Sequence, residues 1–234
     1  MEPTERQSEI LKKIVEQYID TAQPVSSHLL EKECSFNVCP ATIRLEMQKL
    51  TDAGFISQPH TSAGRVPTDK GYRFMVDNLL KEEQDSFNSE IKDWLNEDFK
   101  DTITVLKSLT KKLANLSSSL ALGYLADENI IWKEGWEKII LEPELKETNN
   151  VSGLVETIEK LESRINNLEI GPGINVYIGK ENPFSRSKEF STIITRCSFP
   201  DHDQGLLAII GPKRMDYDKN INFLHSLARL LEDF

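Results

Sequence analysis

The 234 residues suffice for one large domain or for two modest ones that each bury a core, and two is the better expectation. With 28% charged and 38% hydrophobic residues the chain is too apolar for general disorder. Its net charge of −10 speaks at first sight against nucleic acid, because binding to phosphates needs Lys and Arg.

The distribution of charge matters more than its sum. Residues 1–80 hold 9 basic against 11 acidic residues, residues 81–170 hold 11 against 19, and residues 171–234 hold 8 against 8. The acidity sits in the middle, while Ala41–Arg73 carries five basic residues against three acidic ones. DNA binding is thus permitted by composition without being predicted by it. The longest apolar run, near Leu206 to Ile210, has only strand length, and Met-Glu-Pro-Thr-Glu-Arg is not the start of a secretory signal. A cytoplasmic protein is expected. Cys34, Cys39 and Cys197 form no C-x-x-C pair, and with His60 they match no zinc spacing, so reduced thiols and no metal are expected.

Thr4 and Gln7 form a capping-box pattern, after which Ile10, Leu11, Ile14, Val15, Tyr18 and Ile19 repeat at helical spacing. This first helix stops before Pro24. Ser26 or Ser27 can cap a second, with Leu29 and Leu30, and Cys39-Pro40 opens a third in which Ile43, Met47 and Leu50 share a face and Gly54 ends the run. Thr42, Arg44, Glu46, Gln48 and Lys49 are left pointing outward. Three short helices with a tight connection before the third form the pattern of a helix-turn-helix. Phe55-Ile56-Ser57 and Arg65-Val66-Pro67, joined through the loop Pro59–Gly64, make a wing, and Thr68 caps a further helix with Tyr72, Met75, Val76, Leu79 and Leu80.

From Phe87 the apolar residues run through Ile91, Leu95, Phe99, Ile103, Leu106, Leu109, Leu113, Leu116 and Leu120, predicting one long helix with a coiled-coil-like seam. That seam can lie on its own domain's core or on a partner helix, and Leu106, Leu109, Leu113 and Leu116 are the candidate dimerisation residues. Beyond it come short strands at Leu120–Leu125 and Asn129–Trp132, helices at Glu134–Ile140 and Val151–Leu168, strands at Ile174–Gly179, Phe190–Phe199 and Gly205–Ile210, and a closing helix Asp216–Leu231. The connections are too short for regular parallel crossovers. The class is therefore α+β, with a mostly antiparallel sheet and helices on one side of it.

The run Gln58-Pro59-His60-Thr61-Ser62-Ala63-Gly64-Arg65-Val66-Pro67-Thr68-Asp69-Lys70-Gly71-Tyr72-Arg73 closely resembles the wing motif of HrcA-type heat-inducible transcription repressors. Thr4–Gln7, Ala41–Arg44, Val176–Gly179 and Gly211–Tyr217 extend the resemblance to both ends of the chain. It implies a winged-helix domain and a GAF-like α/β domain, which, with the long helix read from its apolar spacing between them, divides the chain at 1–82, 83–119 and 120–234. In the family a dimerising domain is inserted into the last of these. This chain passes almost directly from Leu120 to Trp132-Lys133-Glu134-Gly135, so the insertion is expected to be missing. Cys39-Pro40 and Leu45-Glu46 also depart from the family's recognition helix, the latter standing where Asn-Asp is usual, which implies a different operator sequence. The resemblance further implies repression of chaperone genes through an inverted-repeat operator, a homodimer, and the chaperonin as a partner.

Candidate DNA-contacting residues are Thr42, Arg44, Gln48 and Lys49 on the third helix, His60, Thr61, Ser62, Gly64 and Arg65 in the wing, and Lys70 and Arg73 beyond it. Arg65, His60 and Thr61 can reach phosphates or the minor groove, and Arg44 and Gln48, one helical turn apart, can face bases. Gly211-Pro212-Lys213-Arg214 could be an anion-binding loop, although a plain strand-to-helix turn explains it as well. No arrangement of catalytic groups stands out, and neither an enzyme nor a cofactor is expected. Two rivals remain: a regulator whose GAF-like body binds a metabolite in a deep apolar pocket, and a winged helix with an acidic face that binds protein.

Overall fold

The computed structural model describes residues 2–33, 40–61, 63–81, 101–199 and 204–232. It divides into two compact units, Met1–Lys81 and Glu82–Phe234.

The first unit begins with α1 (Glu5–Thr21), whose capping box forms as the sequence predicts: Thr4 N donates to Gln7 Oε1 at 3.0 Å and Gln7 N to Thr4 Oγ1 at 3.4 Å. Its stripe Ile10, Leu11, Ile14 and Val15 is buried, and Ala22, at φ 53°, ends the helix. Ser26 caps α2 (Ser27–Glu33) by accepting from Leu29 N at 3.1 Å. In α3 (Pro40–Asp52) Ile43, Met47 and Leu50 turn inward, and Gly54, at φ 79°, supplies the left-handed residue that lets the chain leave the helix for a strand. That strand, β1 (Ile56–Ser57), pairs antiparallel with β2 (Val66–Pro67). Thr68 then caps α4 (Asp69–Leu79) and its hydroxyl donates to the carbonyl of Gly54 at 2.7 Å, so one side chain ties the end of α3 to the start of α4. Val25, Leu30, Phe55, Ile56, Tyr72 and Val76 complete this core.

The second unit is built on a five-stranded sheet in the order β4-β3-β7-β6-β5, with every neighbouring pair antiparallel. The strands are β3 (Leu120–Leu125), β4 (Ile130–Glu134), β5 (Asn175–Ile178), β6 (Phe190–Ser198) and β7 (Gln204–Pro212). Leu122, Ala208 and Ile194 lie in register across one face, together with Leu120, Tyr124, Phe190 and Ile210. Ile139 of α6 (Trp136–Ile139) and Leu154, Ile158 and Leu161 of α7 (Thr148–Arg164) cover them. On the other face lies α5 (Thr102–Ser117), so close to the sheet that a Cβ at Gly123 would stand 2.4 Å from Thr110 Oγ1 and 2.6 Å from Leu106 Cδ1. The same face meets α8 (Tyr217–Glu232), whose Tyr217 hydroxyl is 2.8 Å from Ser191 Oγ.

The sheet is therefore covered on both sides, not on one as expected. The reason is visible in the strands: β3 and the stretch Gly205–Pro212 of β7 are buried at every position, the signature of a strand with no solvent face.

The long helix also differs from expectation. Asp101 has extended backbone and accepts from Thr104 N at 2.8 Å, so it is an N-cap, and the helix starts at Thr102 instead of running on from Phe87. Phe87, Ile91, Leu95 and Phe99 lie outside the described residues. Leu106, Leu109 and Leu113 carry no exposed surface, being packed within their own unit, and only Leu116 stays partly exposed. A stripe spaced by threes and fours serves a helix lying on a sheet as well as one lying on a partner helix, and here it does the former. Among the described residues no helix is long and apolar enough to cross a membrane.

Candidate nucleic-acid interface

The hairpin following α3 is held by its own polar groups. Gln58 Nε2 donates to the carbonyls of Thr61 and Ala63 at 2.9 and 3.0 Å, and Ala63 N donates to His60 O at 2.9 Å, closing the tip with His60 and Thr61 exposed. Ser62 lies outside the described residues. At the hairpin's base Val25 and Arg65 exchange both backbone hydrogen bonds at 2.8 Å, joining the returning strand to the segment that leads into α2. Gly64 is required by that closeness. A Cβ there would fall 2.4 Å from Val25 O and 2.7 Å from Pro24 O, and backbone cannot yield as a flexible side chain would.

This junction creates a shallow cleft. Ser26 and Ser27 from the start of α2, Arg44, Met47 and Gln48 from α3, and Ala63, Gly64 and Arg65 from the hairpin line it. Four of the sequence-predicted residues, Arg44, Gln48, Gly64 and Arg65, thus meet at one place. Arg44 Nε donates to Ser27 Oγ at 3.2 Å and Arg65 Nε to Thr51 Oγ1 at 3.1 Å, so each guanidinium is oriented through one of its five N–H donors. Gln48 Nε2 donates to Asp52 Oδ1 at 2.8 Å along the same helix face. Thr42 is half-buried at the first turn of α3.

Three charged residues have a different placement from the one their sequence context suggests. Glu46, expected to point outward, is buried, and it accepts from Gln7 Nε2 at 2.8 Å and from Lys49 Nζ at 2.9 Å. The hydrogen bond from Lys49, followed by that from Gln7, holds its carboxyl below the usual carboxylate range. Lys70 donates to the carbonyl of Ala53 at 2.8 Å and lies 4.3 Å over the Phe55 ring, while Arg73 pairs with Asp77 at 3.4 Å. Their charges brace α4 against the end of α3 and along its own axis. Lys49, although it pairs with Glu46, remains exposed.

At the Gly211–Arg214 turn the arginine is already engaged by carboxylates. Arg214 Nε donates to Glu144 Oε1 at 2.6 Å, its NH2 group also reaches Glu144 and Glu142, and one cation is therefore shared by two carboxylates. Burial pushes the Glu142 carboxyl up, against the attraction of Arg214 and with the repulsion of Glu144. Sequence spacing holds no signal for this cluster, because its members are some seventy positions apart. Among the described residues no group of His, Cys, Asp and Glu side chains could hold a metal ion, and Cys197 is a buried thiol on β6. Cys34 and Cys39 lie outside the described residues.

The whole fold has a counterpart in a crystal structure of a protein described only as hypothetical, with a TM-score of 0.79, 21% identity, and coverage of 98% of this chain and 96% of that one. Among proteins of known name, the heat-inducible transcription repressor HrcA of Thermodesulfovibrio yellowstonii is 26% identical over 346 aligned positions, which cover 97% of this chain and 96% of that protein. Since this chain has 234 residues, more than a hundred of those positions have no counterpart in it. The HrcA of Natranaerobius thermophilus is 56% identical over 75 residues, covering 32% of this chain and 22% of that protein. The protein is a DNA-binding transcriptional repressor. It belongs to the HrcA family, whose model for the HrcA protein C terminal domain matches residues 70–221, more than half of the chain.

Proposed function

We propose that the repressor reads its operator as a winged helix-turn-helix, with α3 in the major groove and the β1–β2 hairpin against the adjoining backbone or minor groove. The observation that carries this is the cleft between α2, α3 and the hairpin, where Arg44, Gln48 and Arg65 converge around Gly64. With Glu46 turned inward, the outer face of α3 and the wing present Arg44, Lys49 and Arg65, which suits phosphate and not the acidic face that a protein-binding module would need. The metabolite-binding rival is weakened by the body's sheet, whose two faces are filled by α5 and α8 and by α6 and α7.

The finer assignments rest on family resemblance. The second unit is a reduced GAF-like domain, two copies act on an inverted-repeat operator in the cytoplasm, chaperone genes are the targets, and the chaperonin sustains the active form. Two-fold DNA calls for a two-fold protein. Because Leu106, Leu109 and Leu113 are spent on the body's own core, the surface that joins two copies is a different one.

Site selection with the purified full chain, followed by titration of the selected duplex at several salt concentrations, tests the reading. Arg65→Ala is expected to weaken operator and scrambled DNA alike and to reduce the salt slope by about one, while Arg44→Ala relaxes preference at one base pair. Unchanged binding in both variants removes α3 and the hairpin from the interface.

A further inference from the structure

The outward face of α3 is not wholly polar. Ala41, Arg44, Leu45, Gln48, Lys49 and Asp52 are its exposed positions, and Leu45 stands 55% exposed in their midst. A single exposed leucine on a protein surface needs no explanation. This one is different in its neighbours. Arg44 is held by Ser27, Gln48 by Asp52 and Lys49 by Glu46, so the side chains around Leu45 have polar partners within the protein while Leu45 projects among them uncovered.

Only one base offers an apolar group at its edge in the major groove, and that is thymine, through its C5 methyl. We infer that Leu45 is a specificity-determining residue that packs on a thymine methyl in each half-site of the operator. The inference rests on the placement of α3 in the major groove argued above. The flanking cations supply the charge complementarity that makes DNA, in preference to an apolar protein surface, the occupant of this face. A branched aliphatic side chain donates and accepts nothing. It therefore prefers thymine without being able to choose, by hydrogen bonding, among the other three bases, and a polar residue at this position would read a different base pair.

The test replaces thymine by deoxyuridine, which keeps every hydrogen-bonding edge and removes only the methyl. In a scan of the selected operator, one substitution per half-site is expected to weaken binding of the unmodified full chain about fourfold, the worth of one buried methyl-sized group. Leu45→Ala and Leu45→Asn are expected to bind thymine and deoxyuridine duplexes equally at that position. Because Leu45 supports no core, both variants should keep the parent's circular dichroism and melting. Equal binding of every deoxyuridine duplex by the unmodified protein overturns the inference without any variant being needed, as does a Leu45→Ala protein that retains the full methyl sensitivity. Those results would leave DNA binding itself intact, whereas failure to select any duplex overturns the placement of α3 and this inference with it.

Discussion

Each unit contains a buried or half-buried polar cluster of three groups, and the ion shared at the centre of each has the opposite sign. In the head one carboxylate, Glu46, is shared by two donors, Gln7 and Lys49. In the body one cation, Arg214, is shared by two carboxylates, Glu142 and Glu144. The head's cluster stabilises the ionised acid, and the body's leaves one acid short of compensation. Their responses to pH follow with opposite signs. The Glu46 carboxyl is lowered, so its contribution is present above the ordinary carboxylate range and is lost as pH falls through the lowered value. The Glu142 carboxyl is raised, so its contribution is complete below that range and is lost as pH rises through the raised value. Mild acidification thus relieves the body at a pH where the head has not yet begun to lose support.

The sharpest division between the units concerns where apolar surface is spent, and Leu109→Glu/Leu113→Glu tests it with the largest effect. Truncating one such buried leucine costs about 2–5 kcal/mol, and placing charge at both should unfold the body outright, read as loss of circular dichroism and of cooperative melting. A folded monomer would instead return this seam to a partner helix.

A smaller loss, about 2 kcal/mol at neutral pH, is expected for Arg214→Ala, which leaves two carboxylates together in a place where the guanidinium is only 13% exposed. Denaturant titrations across pH should show the deficit shrinking on acidification, as both acids take up protons. A deficit equal at all pH values would mean that packing, not charge, is what Arg214 supplies.

Glu46→Gln carries the smallest effect, about 1 kcal/mol at neutral pH and less in high salt, since Lys49 is half-exposed. Here the difference from the parent should vanish as pH falls, the reverse of the parent's own Glu142 response. If Glu46→Gln left the acid side of the stability profile unchanged, the contrast between the two clusters would fail.

Much of the head was legible in the residues. Thr4 with Gln7, Ser26, Gly54 and Thr68 mark the helix ends by capping chemistry that is local, and local chemistry survives folding. For Glu46 two signals conflict: with Ile43, Met47 and Leu50 it occupies positions i+3, i, i+4 and i+7 of the buried stripe, so spacing puts it inside while its charge suggests outside. Its partner Gln7, 39 residues away, could not have been found from spacing. The cations Lys70 and Arg73 belong to the same motif as Arg65, yet the bond from Lys70 to Ala53 is a tertiary fact that a motif does not carry, whereas the pairing of Arg73 with Asp77, four positions on in the same helix, is local. In the body the strands are recognisable, and Leu120–Leu125 and Leu206–Ile210 show in their lack of alternation that helices lie on both faces. The helix start at Asp101 is harder to read, because apolar periodicity runs straight across a residue whose side chain caps the helix that follows it.

The pair of backbone bonds between Val25 and Arg65 has a mechanical consequence. A hairpin joined to the protein only through its own two strands would be a hinged flap, free to set its angle to suit each duplex. Here a third segment, the one that launches α2, is stitched to the returning strand, so hairpin and helix pair form a gauge whose opening is set at folding. With α3 docked as proposed, such a gauge would sense groove geometry before any base is read. On that docking, exchanging the outward residues of α3 would retune the preferred sequence while the tolerated duplex shape stayed constant, and duplexes too wide or too narrow for the gauge would be refused whatever bases they carried.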